Sequence, residues 1–127
     1  MIHYKDWTVI QLKHLAIAPL LVEEPPLERG KFGYDRHGRM ENLSEEGQVP
    51  NSLARYNHPK YKELYKGVQS KIETILGEKL YPTYYFDRFY FRGQELKRHH
   101  DRPACEISVS MNISTNSNTP WPIYFEH

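Results

Sequence analysis

The segment ELKRHHDRPACE holds the residues best suited to chemistry. His99 and Asp101 are two positions apart, with His100 between them. On an extended backbone, positions i and i+2 face the same way, about 6.5–7 Å apart. An imidazole nitrogen and a carboxylate oxygen so placed can converge on one metal ion, while His100 points to the opposite face. A third ligand, a second imidazole, would complete the two-histidine, one-carboxylate face that leaves positions open on non-haem Fe(II). The short spacing alone leaves a second reading open, a solvated loop or structural hydrogen bonding. Arg102 and Glu106 lie four apart around a proline. They pair across the loop or meet a bound substrate. Cys105 has no histidine arrangement around it that would make it a nucleophile, so it reads as a packed or hydrogen-bonded small residue. Trp121 and Tyr124 read as packing or wall residues, and His58 as structural. His3, His14 and His37 lack ligand-like neighbours.

Composition excludes several classes. The 127 residues carry 17 basic and 16 acidic side chains, a formal net charge of +1. So even a balance does not suit a protein that works by neutralising nucleic-acid phosphates. With 39% hydrophobic residues there is material for one core, and the aromatic content argues against disorder throughout. There is no P-loop and no G-x-G-x-x-G fingerprint. No apolar run reaches 18 residues, and MIHYKDWTVI lacks the basic region and apolar core of a signal peptide. With a single cysteine, these features predict a cytoplasmic protein outside the membrane.

The elements that must position the motif follow from periodicity. A strand is expected at 7–12, with Pro19 limiting any helix that would run through it. Residues 23–50, with a Pro-Pro pair, several glycines and many charges, read as a long polar loop. A supporting helix is expected at 58–78, with Asn57 as N-cap, Pro59 in its first turn and Gly77 as its stop. Its apolar stripe is Tyr61, Leu64, Tyr65, Val68, Ile72, Ile75 and Leu76. Residues 84–126 read as motif-bearing strands. The aromatic run YPTYYFDRFYF enters, Gly93 turns, and Ile107, Val109, Met111 and Ile113 alternate with polar residues. Trp121, Ile123 and Phe125 alternate again. The expected architecture is α+β, an all-β core of antiparallel strands with N-terminal helical support.

With that context the segment RFYFRGQELKRHHDRPACEISVSMNI, followed by WPIYFE, resembles the Fe(II)- and 2-oxoglutarate-dependent oxygenases, in particular their prolyl 4-hydroxylase-like branch. That branch reads R-x-Y-x-x-G-x-x-L-x-x-H-x-D-R-x-x-C-E-x-S. Arg88, Tyr90, Gly93, Leu96, His99, Asp101, Arg102, Cys105, Glu106 and Ser108 stand at those places. The resemblance covers 84–126. It implies a double-stranded β-helix, a jelly-roll barrel, with His99 and Asp101 as two iron ligands and Tyr90 facing the cosubstrate. The implied reaction couples oxidative decarboxylation of 2-oxoglutarate by O2 to hydroxylation of an unactivated C–H bond. The substrate would be a peptidyl group such as proline, or a small molecule.

The family also uses a distal histidine and, beyond it, an arginine or lysine for the far carboxylate of 2-oxoglutarate. Only His127 follows the motif, and it reads as a chain-end residue; no lysine or arginine follows Arg102. The 26 residues after Asp101 leave room for two or three strands. The barrel is therefore expected to be incomplete, with 1–127 the N-terminal portion of a single oxygenase domain. Two other readings are a non-catalytic binding or assembly module on the same scaffold, and a cupin-like metalloenzyme that does not use 2-oxoglutarate. A homo-oligomer that completes the barrel with a second chain is also open.

Overall fold

A computed structural model describes residues 10, 28–113, 115, 118, 119 and 121–125. The strand expected at 7–12 lies outside the described residues, apart from Ile10. The elements are β1 (Gly30–Tyr34), β2 (Met40–Ser44), β3 (Leu53–Tyr56), a 3-10 turn (Pro59–Tyr61), α1 (Lys62–Leu76) and β4 (Phe86–Phe89). The strands form one mixed sheet in the order β2-β1-β3-β4. β1 runs parallel to β3, and the β1/β2 and β3/β4 pairs are antiparallel. This is an α+β fold. Its helix joins β3 to β4 instead of preceding the sheet, which corrects the N-terminal helical support expected from sequence. Among the described residues no helix is long and apolar enough to cross a membrane.

The polar loop expected over 23–50 contains a β-hairpin instead. Asp35 nucleates its turn: the carboxylate accepts the backbone N–H of His37 at 2.8 Å and of Arg39 at 2.9 Å. Gly38 closes the turn at φ +76°, a left-handed conformation in which a side chain is strained. β1 then gains a second partner in β3 and buries Phe32, which pays the ordering cost that its charged neighbours cannot. β2 is the outer strand and is exposed throughout. After it the chain tucks Val49 and Ser52 into the interior before entering β3.

The helix expected at 58–78 is present. Its entry differs in one detail: His58, not Asn57, caps it, with Nδ1 accepting the Lys60 N–H at 3.2 Å. Asn57 sits at φ +61° in the preceding bend. Gly77 ends α1 in the left-handed region, its N–H bonded to the Glu73 carbonyl at 2.8 Å. The returning chain is tied to α1 by side chains. Leu80 N–H donates to Glu73 Oε2 at 2.8 Å, Gln69 Nε2 donates to the Leu80 carbonyl at 3.0 Å, and Thr83 N–H donates to the Tyr65 hydroxyl at 3.1 Å. The apolar stripe is buried at its two ends, Tyr61 and Leu76, half-buried between them, and exposed at Ile75.

Register assigns the two faces of the sheet. Phe32, Leu53, Arg55, Asp87 and Phe89 share one face; Lys31, Ala54, Tyr56, Phe86 and Arg88 share the other. The first carries the core, with Phe32 and Leu53 buried and an ion pair between Arg55 and Asp87.

Beyond β4, Gly93 makes the expected turn at φ +84°, with Gln94 N–H donating to the Phe91 carbonyl at 3.0 Å. The strands expected at 105–113 and 121–125 are not formed; β4 is the one strand in 84–126 among the described residues. Alternation specifies a face to bury, but a strand also needs a neighbour to receive its backbone hydrogen bonds. No described segment pairs with 105–113, and Ile107, Val109 and Ile113 are exposed.

Candidate functional site

β4 and the turn at Gly93 lead the chain into the His-x-Asp segment. His99 Nε2 and Asp101 Oδ1 lie 3.4 Å apart, and both side chains reach solvent. The pair therefore converges as its spacing suggested, although the backbone there is not a strand. Each partner is held from behind. His99 Nδ1 is 2.9 Å from the Lys97 carbonyl oxygen. A carbonyl only accepts, so Nδ1 carries the proton and Nε2 is the nitrogen turned to Asp101. Asp101 Oδ2 accepts a hydrogen bond from the Ser108 hydroxyl at 3.0 Å. His100 is exposed. His127 lies outside the described residues, among which no group of three histidine, cysteine, aspartate or glutamate side chains is placed to hold one ion.

Tyr90 is placed with other partners. Its ring meets Trp121 edge-on at 4.5 Å, and its hydroxyl accepts a hydrogen bond from Arg88 Nη1 at 3.1 Å. Arg88 is buried and also bonds Gln48 Oε1 at 2.8 Å; Glu46, equally buried, lies 3.3 Å from Arg88 Nη2. This Glu46–Arg88–Tyr90 chain fixes Tyr90 on the sheet face opposite the Arg55–Asp87 pair. Nothing in the local sequence signals Glu46, because 42 positions separate it from Arg88 and only the sheet brings them together.

The turn after Asp101 docks on that same face. Cys105 N–H bonds the Arg102 carbonyl at 2.8 Å. Arg102 does not pair with Glu106; its guanidinium carbon lies 5.5 Å from the centre of the Tyr84 ring. Burial pushes the Tyr84 hydroxyl above the usual phenol range, and a hydrogen bond with the half-buried Cys105 thiol adds to that. Cys105 is a free, half-buried cysteine. Tyr84 neighbours Phe86 at 6.2 Å and Tyr56 at 6.0 Å. The wall that receives the motif is made from β3 and from the approach to β4, and the motif's own sequence reveals only the second.

Chemically, the paired imidazole and carboxylate can share a proton or hold a divalent cation. Comparison of the chain with protein-family models, with curated proteins and with solved structures finds no match.

Proposed function

We propose that the chain belongs to an Fe(II)- and 2-oxoglutarate-dependent oxygenase, in which His99 and Asp101 are two iron ligands. One observation supports this above the others. With Nδ1 turned to the Lys97 carbonyl, His99 Nε2 faces a carboxylate oxygen 3.4 Å away. A proton or a divalent cation between them satisfies both groups, and a metal there would have its two ligands already side by side. Ser108 orients the carboxylate and Lys97 the imidazole, the supporting hydrogen bonds that metal ligands commonly have. The reading extends to the fold: the mixed sheet would be one wall of a double-stranded β-helix, which 105–113 and 121–125, irregular here, do not complete.

When bound, iron supplies the coupled decarboxylation of 2-oxoglutarate and hydroxylation of a C–H bond. The chain's residues bind and orient. His99 and Asp101 would hold the metal, and the Arg88–Tyr90 hydrogen bond sets the angle of the tyrosine ring. The substrate, peptidyl or small, approaches across that wall.

Anaerobic titration of the whole chain with Fe(II), then 2-oxoglutarate, tests the reading. A weak visible charge-transfer band is expected, absent in His99→Ala and Asp101→Ala. Metal binding without the band would favour a cupin-like metalloenzyme that does not use 2-oxoglutarate. Absence of metal binding would favour a non-catalytic module.

A further inference from the structure

We infer that the sheet face bearing Tyr56, Tyr84 and Phe86 binds an organic acid with a planar apolar body, and that Arg102 selects it through its carboxylate. This rests on the oxygenase reading and names the substrate class for it. The three rings form a continuous surface. Tyr56 and Phe86 stack with centroids 5.0 Å apart and planes 22° from parallel, and Tyr84 and Phe86 have centroids 6.2 Å apart at 19°. Tyr56 and Tyr84 are themselves 6.0 Å apart, so the three rings cluster, and Phe86 is 39% exposed.

Charge decides what this surface takes. Three cations touch the rings: Lys31 Nζ lies 5.0 Å from the Tyr56 centre, Arg88 Cζ 5.2 Å from Phe86, and Arg102 Cζ 5.5 Å from Tyr84. Arg88 is neutralised by buried Glu46. Lys31 and Arg102 form no ion pair among the described residues. Glu41, which register also puts on this face, stands on β2 across Gly33 from Tyr56 and forms no ion pair among the described residues. An aromatic surface with two unmatched cations complements an anion that carries an apolar body. Arg102 stands over the Tyr84 ring and directly follows Asp101 in the chain, so an acid held there has its apolar body on the rings and lies next to the segment that carries the His99–Asp101 pair.

Phenylacetate and its uncharged isostere phenylacetamide separate charge from shape. Ligand-observed NMR titration is run on the metal-free chain at low salt, so the outcome does not depend on iron or 2-oxoglutarate. Phenylacetate is expected to bind about tenfold more tightly than the amide, the contribution of one charge-assisted hydrogen bond. Arg102→Gln should erase that difference and Arg102→Lys should keep most of it. Circular dichroism confirms that the variants, altered at an exposed position, remain folded. Equal binding of acid and amide, no binding of either, or an unchanged preference in Arg102→Gln would overturn the inference. Displacement of phenylacetate by equimolar 2-oxoglutarate would also overturn it, since the anion site would then belong to the cosubstrate. Failure of the iron titration with this preference intact would remove the oxygenase reading and leave the acid-binding face.

Discussion

Arg55 and Asp87 stand directly opposite each other on β3 and β4, paired through Nε and Nη2, with both side chains almost wholly buried. The Tyr61 hydroxyl, 3.4 Å from Asp87 Oδ2, ties the start of the helix to the same carboxylate. One ion pair thus joins both strands and the helix entry on the core face. Removing one partner leaves the other charged in a dry interior. Asp87→Ala is therefore expected to lose about 3–5 kcal/mol. The double variant Arg55→Met with Asp87→Leu should regain most of that loss, because neither charge is then stranded. Urea denaturation midpoints check both.

A second prediction concerns pH. Burial holds the His58 imidazole below the ordinary histidine range, and the nearby Arg55 guanidinium adds to this, against a smaller opposing effect of Asp87. Its Nδ1 must also stay unprotonated to cap the Lys60 N–H. The folded chain therefore binds fewer protons at this site than the unfolded chain. The stabilisation is complete above the unfolded histidine value of about 6.5 and is lost as pH falls below it. Stability measured from pH 8 to 5 should decline in the native protein. His58→Asn, which keeps a capping oxygen and cannot titrate, should flatten that decline; an identical slope in the variant would contradict the assignment.

The hairpin gives a third. At φ +76° Gly38 meets nothing closer than Pro59 Cγ, 3.6 Å from an added Cβ, so Gly38→Ala is strained by backbone conformation and not by crowding. A loss of about 1–2 kcal/mol is expected. Gly38→Asn should lose less, because asparagine tolerates the left-handed region. Thermal unfolding of the two variants distinguishes them.

Local signals were the readable ones. The stripe from Tyr61 to Leu76 and the Gly77 stop revealed α1, and two-residue spacing revealed the convergence of His99 and Asp101. What escaped depends on distance along the chain. Glu46 meets Arg88, and Arg55 meets Asp87, only after the sheet aligns β3 with β4. The hairpin around Asp35 was hidden by its charged residues, although Asp-Arg-His-Gly is a turn signal. At Ile107–Ile113 the error ran the other way: alternation is necessary for a half-buried strand, but it does not provide the neighbouring strand.

Ser108 offers a prediction about the site itself. Its hydroxyl is the hydrogen-bond donor to Asp101 Oδ2, and Ser108 is exposed on an irregular segment. Ser108→Ala should leave stability within about 0.5 kcal/mol and weaken divalent-metal affinity about 10–100-fold. Calorimetric titration with Mn(II) measures the second effect, and chemical denaturation the first.

The most direct test of the His99–Asp101 pair is paramagnetic broadening by Mn(II) in the isotope-labelled chain. The account predicts that substoichiometric Mn(II) broadens the resonances of His99, Asp101 and Ser108 first, and that His99→Ala abolishes this selectivity. Broadening spread evenly over surface carboxylates, or unchanged in His99→Ala, would contradict a metal site at this pair.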